Sequence, residues 1–211
     1  VLSVGAPFKL DTFVPKGEIA IKNVADLYKF DNTVAMLKVT GADIKEWLEM
    51  SAGQFNQIDP SKTEEQQLIN TDFPSFLYDV IDGVTYEFDV TQPAKYDKGG
   101  NVINENASRV VNLQFEGKPV EDDQLFIVAT NNYRASGTTP GVRNAMQIEL
   151  YPDENRQIII DYLVEQKTVN PTADNNWTFT KFPEGVNVVF EASEKAKDVL
   201  SEDSPIKHLG E

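Results

Sequence analysis

The chain has 211 residues, 40% of them hydrophobic, enough for one good core because domains cluster at roughly 100–200 residues. Its 34 acidic residues against 19 basic ones give a net charge of −15, which repels polyphosphate backbones and anionic lipid at long range, so duplex nucleic acid and membrane surfaces are poor partners. Small phosphate esters stay admissible, since salt screens surface charge beyond ~8 Å.

Taken in chain order, the start carries no basic flank or long apolar stretch of a signal peptide, and no apolar run approaches the ~18 residues of a membrane span. A chain that opens on Val1 rather than Met reads as a piece excised from a longer one. Residues 17–22 alternate briefly as a short strand, and Asn23 then caps one helical turn over 23–28. Residues 33–40 are β-branched and apolar, a strand. Thr40-Gly41-Ala42-Asp43 opens an amphipathic helix with Ile44, Trp47 and Leu48 on one face, ending near Ser51-Ala52-Gly53, where Gly53 is expected in a left-handed cap. Residues 59–75 are polar and proline-bounded, a surface excursion with a helical turn at most.

Residues 84–90 and 109–115 alternate at period two, separated by a tight turn at 97–101, and 125–130 is a continuous apolar run that reads as a buried central strand. Residues 153–166 give the strongest helix signal, with an acidic first turn and apolar residues at 158, 159, 162 and 163. Strands at 177–182 and 186–191 and a short helix at 193–200 close the chain. Hairpin turns outnumber helical crossovers, which favours a single α+β domain with a mixed β-sheet and packed helices over a doubly wound fold.

Several chemistries drop out. One histidine and no cysteine leave an internal metal site, a thiol nucleophile and a Ser-His-Asp constellation without parts, since His208 lies in the C-terminal tail. Neither Gly-x-Ser-x-Gly nor a phosphate loop ending in Gly-Lys-Ser/Thr occurs. Acid pairs such as Asp79 with Asp82 or Asp122 with Asp123 carry little specificity in so acidic a chain; solvated surface or turn caps explain them.

Two clusters suit recognition. Phe73-Pro74-Ser75-Phe76-Leu77-Tyr78 sets three aromatics around a proline ahead of the Gly83 turn, either a platform on which a nucleobase stacks or plugs for the core. Asn131-Asn132-Tyr133-Arg134-Ala135, followed by Ser136-Gly137-Thr138-Thr139-Pro140-Gly141, offers amides, a phenol and a guanidinium at the end of a buried strand, suited to a polar ligand or to ordinary chain reversal.

Longer strings carry a resemblance. Ala6-Pro7-Phe8-Lys9, Glu46-Trp47-Leu48-Glu49, Ser51-Ala52-Gly53-Gln54-Phe55-Asn56-Gln57, Tyr78-Asp79-Val80-Ile81-Asp82-Gly83, Ala129-Thr130-Asn131-Asn132-Tyr133-Arg134-Ala135 and Asp174-Asn175-Asn176-Trp177 resemble, in order, the C-terminal domain of bacterial 2′,3′-cyclic-nucleotide 2′-phosphodiesterase/3′-nucleotidases. The likeness spans about residues 1 to 182. It implies the two-domain plan of the wider 5′-nucleotidase family. In that plan an N-terminal metallophosphoesterase domain, absent from this chain, holds two divalent metal ions and a catalytic histidine, and the C-terminal domain grips the nucleoside between aromatic rings.

The resemblance therefore implies a substrate-recognition domain, inactive alone, from an extracellular, cell-wall or periplasmic protein. By position, Tyr78, with Phe76 the nearby alternative, is one wall of the base clamp. The second wall belongs to the loop after Ala135, where relatives often carry an aromatic or Gly-Gly and this chain reads Ser136-Gly137; Tyr133 is open between clamp and core. Lys9 falls where related nucleotidases carry an arginine near the phosphate, and Asn131, Asn132 and Arg134 shape the pocket or orient the ribose. The alternative is a surface adhesion or binding module that keeps the fold without the nucleotide, supported only by the altered loop.

Overall fold

The computed structural model describes residues 1–6 and 14–192. Its strands are β1 (Leu2–Gly5), β2 (Thr33–Thr40), β3 (Glu65–Gln67), β4 (Val80–Asp82), β5 (Thr85–Phe88), β6 (Val110–Phe115), β7 (Lys118–Pro119), β8 (Leu125–Asn131), β9 (Gln147–Glu154), β10 (Trp177–Phe179) and β11 (Asn187–Val189). The helices are α1 (Ile21–Leu27), α2 (Gly41–Ser51), α3 (Asn132–Ala135) and α4 (Asn155–Gln166). A five-stranded mixed sheet runs β4-β1-β8-β2-β9 and a four-stranded one β10-β5-β6-β7; β3 pairs in parallel with β11. The α+β class is as expected.

One core serves both large sheets. Leu37 and Val128, opposite each other in the β2–β8 ladder, join Ile44, Trp47 and Leu48 of α2 and Tyr86, Phe88 and Val110 of the second sheet in a single apolar cluster. Helix α2 contacts β2 and β4 on one side and β6 on the other, which is why eight of its positions are buried rather than one stripe. Its start is a full capping box: Thr40 Oγ1 accepts from the Asp43 backbone N–H at 3.2 Å while the Asp43 carboxylate accepts from the Thr40 backbone N–H at 2.9 Å.

Several expectations need correcting. Residues 17–22 form no strand; Ile19 and Ile21 meet no sheet and are exposed, and Asn23 sits inside the first turn of α1, its Oδ1 accepting from the Ala20 N–H at 2.8 Å. Gly53 takes no left-handed cap. It lies in a 3₁₀ turn, Ala52–Gln54, and must be glycine because a Cβ there would fall 2.7 Å from the Phe73 ring. The central strand β8 is buried on one face only, with Leu125 and Ile127 exposed on the other. Asp153 and Glu154 finish β9 rather than opening a helix, and α4 buries none of its residues. Residues 59–75 are better ordered than a loop, holding β3, a Phe55–Ile69 bridge and the start of a 3₁₀ turn. The helix expected at 193–200, Lys9 and His208 lie outside the described residues.

Candidate functional site

The 73–78 cluster divides its three rings among three environments. Pro74, with φ −64°, leads into the 3₁₀ turn Ser75–Leu77, closed by Leu77 and Tyr78 N–H bonds to Pro74 and Ser75 carbonyls at 2.9 and 3.1 Å. Phe73 is buried with Met50 and Tyr96 in a small second core. Tyr78 is half-buried, edge-on to Phe55 at 5.4 Å and to Trp177 at 6.1 Å. Its buried hydroxyl has no hydrogen-bond partner, and desolvation pushes its pKa far above the usual tyrosine range. Phe76 alone is open, at 51% exposure.

Where β8 runs out, Asn131 caps α3, its Oδ1 accepting from the Arg134 N–H at 2.9 Å, while its Nδ2 donates to the Tyr28 hydroxyl at 3.3 Å. The Asn132 Oδ1 accepts from the Thr33 N–H at 3.2 Å. Both amides are thus engaged in holding the chain. Tyr133 stands out at 57% exposure. Of the following loop, Gly141 has φ +87°, and a Cβ there would lie 2.5 Å from Trp47 Cβ, so its glycine answers to backbone and packing.

The two clusters meet at Asp79. One carboxylate oxygen accepts from Arg134 Nε at 2.7 Å and pairs with Nη2 at 2.6 Å; the other accepts from the Trp47 indole N–H at 2.8 Å. The Asp79 backbone N–H donates to Ser51 Oγ at 3.1 Å, and Arg134 Nη2 donates onward to the Phe76 carbonyl at 3.2 Å. Phe76, Tyr78, Asn131 and Arg134 therefore belong to one assembly, with Asn132 and Tyr133 beside Arg134 on α3. Asp79, Trp47 and Ser51 are the members that pattern reading missed. The Tyr78-Asp79 string and the helical face of Trp47 were visible, but an acid in an acidic chain gives no sign of its partner.

The Asp79 carboxylate is fully occupied, and among the described residues no group of three or more His, Cys, Asp or Glu side chains is placed to hold a metal ion. No helix among them is long and apolar enough to cross a membrane. A separate hollow of about 300 Å³ on the second sheet is lined by Thr85, Glu87, Asn112, Gln114, Asn175 and Trp177, and Phe76 is not among its lining residues.

Two sheets around a shared helix, with an exposed ring on a turn held by a buried ion pair, define an α+β domain. The chain belongs to the family of the 5′-nucleotidase C-terminal domain, whose model matches residues 2–142. It is 50% identical over its whole length to a trifunctional nucleotide phosphoesterase protein, YfkN, of Bacillus subtilis, of which it covers 15%. It is 43% identical, again over its whole length, to a 2′,3′-cyclic-nucleotide 2′-phosphodiesterase/3′-nucleotidase of Haemophilus influenzae, of which it covers 35%. The fold matches a 5′-nucleotidase precursor from Thermus thermophilus with a TM-score of 0.65 at 20% identity, over 86% of this chain and 32% of that one. The chain thus spans a minor part of the proteins it matches.

Proposed function

We propose that this chain is the nucleoside-recognising part of a 2′,3′-cyclic-nucleotide 2′-phosphodiesterase/3′-nucleotidase. Its bond-breaking groups and two divalent metal ions belong to a metallophosphoesterase domain elsewhere in the same polypeptide, in an extracellular, cell-wall or periplasmic setting. The observation that carries the reading is Phe76: half-exposed, on a short 3₁₀ turn, in a chain 43% identical to a relative named for nucleotide hydrolysis. A phenyl face in that position offers a nucleobase ~1–3 kcal/mol of stacking and asks for no sequence of hydrogen bonds. Tyr78 supports the ring cluster from within, Tyr133 supplies the second exposed ring, and Asn131 and Asn132 shape the wall between. Lys9 is the candidate contact for phosphate.

The net charge of −15 suits a small ligand over a polyanion. Within the altered 136–141 loop, the sole support for an adhesion module, Gly141 has a packing reason, against Trp47. In an enzyme that joins this chain to its metal-bearing domain, Phe76→Ala raises KM for adenosine 3′-monophosphate by about tenfold, the factor for ~1.4 kcal/mol of lost stacking. An unchanged KM contradicts the proposal. So does metal-dependent hydrolysis by the 211-residue chain alone.

A further inference from the structure

Arg134 is the obvious basic residue beside Phe76, and the obvious role for it is a phosphate ligand. The geometry points elsewhere: we infer that Arg134 is a positioning residue which, held by Asp79, fixes the turn that carries Phe76. The inference rests on the reading of Phe76 as the base platform.

Two of the three guanidinium nitrogens are already engaged. Nε and Nη2 both meet one Asp79 oxygen, at 2.7 and 2.6 Å, and the two side chains are only 13% and 8% exposed. Asp79 is anchored twice to α2, through the Trp47 indole and the Ser51 hydroxyl, residues one helical turn apart. Drawing Arg134 toward a phosphate would strand a buried carboxylate, which costs more than a new surface contact returns. What the fork does reach is the Phe76 carbonyl, at 3.2 Å.

The consequence concerns spacing. Arg134 follows Tyr133 on α3, and its tip holds the backbone of Phe76, so a single side chain ties together two segments that each carry an exposed ring. A base held between or against them is gripped only if that spacing is fixed. Lysine would keep the charge but not the planar fork that reaches Asp79 and the carbonyl together.

The test is an NMR titration of the 211-residue chain with ring-labelled Phe and Tyr, using adenosine and adenosine 3′-monophosphate as probes on wild type, Phe76→Ala, Arg134→Lys and Asp79→Asn. Arg134→Lys is expected to weaken both probes equally, by about tenfold, and to move the Phe76 ring signals toward averaged values before any ligand is added, with Tm nearly unchanged. Asp79→Asn should reproduce the weakened binding and the averaged ring signals, with a lowered Tm because it leaves a buried guanidinium without its countercharge; if that variant fails to fold, Arg134→Lys still decides. Weakening of the phosphorylated probe alone makes Arg134 a phosphate ligand and overturns the inference. Wild-type affinity for both probes in Arg134→Lys overturns it too, while loss of binding in Phe76→Ala then leaves the base-recognition reading standing. A silent wild type, or a Phe76→Ala variant that binds as wild type does, sinks both.

Discussion

Glu49 and Arg109 are each 1% exposed, yet they do not pair with each other's charged ends. Glu49 accepts the backbone N–H groups of Arg109 and Val110 at 3.0 and 2.9 Å and the Ser108 hydroxyl at 3.1 Å, so a helix carboxylate terminates the entry to β6. The Arg109 guanidinium donates instead to the carbonyls of Gln92, Ala52 and Phe55 at 2.8, 2.7 and 2.7 Å. Burial draws its pKa down to about 10, against the opposing pull of Glu49 and Asp89. Removing Glu49 strands two buried N–H groups and leaves that cation without its nearest countercharge. Glu49→Ala should therefore cost ~3–5 kcal/mol in urea denaturation, and a loss under ~1 kcal/mol would show that the network is not structural. None of this was legible in the sequence. Arg109 heads an alternating strand and looks like a surface residue, because burial of an arginine depends on carbonyls more than fifty positions away, at Ala52 and Phe55.

Among the elements, α2 was the most readable, since its cap, its apolar face and the strand before it all follow local rules. Thr40→Ala removes one half of the capping box and should lower stability by ~1 kcal/mol in the same assay, with Thr40→Ser close to wild type. An equal loss in the serine variant would mean that the methyl, not the hydroxyl, matters. Elements that depend on partners were read less well. The alternation at 17–22 met no neighbouring strand, and the apolar run of β8 could not reveal that only one of its faces is covered. Gly53 and Gly141 looked like turn formers; at Gly53 the constraint is the Phe73 ring alone, and at Gly141 the Trp47 side chain adds to a positive φ. For the site, both clusters were visible as strings, whereas the contact joining them is made by Asp79 and Arg134, 55 positions apart.

At the scale of the whole molecule, three tyrosines make the fold sensitive to base. Burial raises Tyr78 and Tyr86 well above the ordinary tyrosine range, and burial with the Glu46 hydrogen bond pushes Tyr96 up to about 12. The native chain thus keeps phenolic protons that the unfolded chain releases near pH ~10, so their stabilising contribution is complete below that pH and is lost as pH rises from there. Absorbance titration at alkaline pH should show these phenols ionising together with loss of structure; early ionisation of all seven tyrosines with the fold intact would refute it. Function at this scale follows from what the domain offers, an open phenyl ring on a pinned turn, and from what its acids already hold. The most direct test is a crystal structure of the chain with adenosine. The account predicts the purine stacked on Phe76 at ~3.5–4 Å, with the Asp79–Arg134 pair intact beneath it; adenosine bound in the amide-lined hollow of the second sheet, with Phe76 left facing solvent, would contradict it.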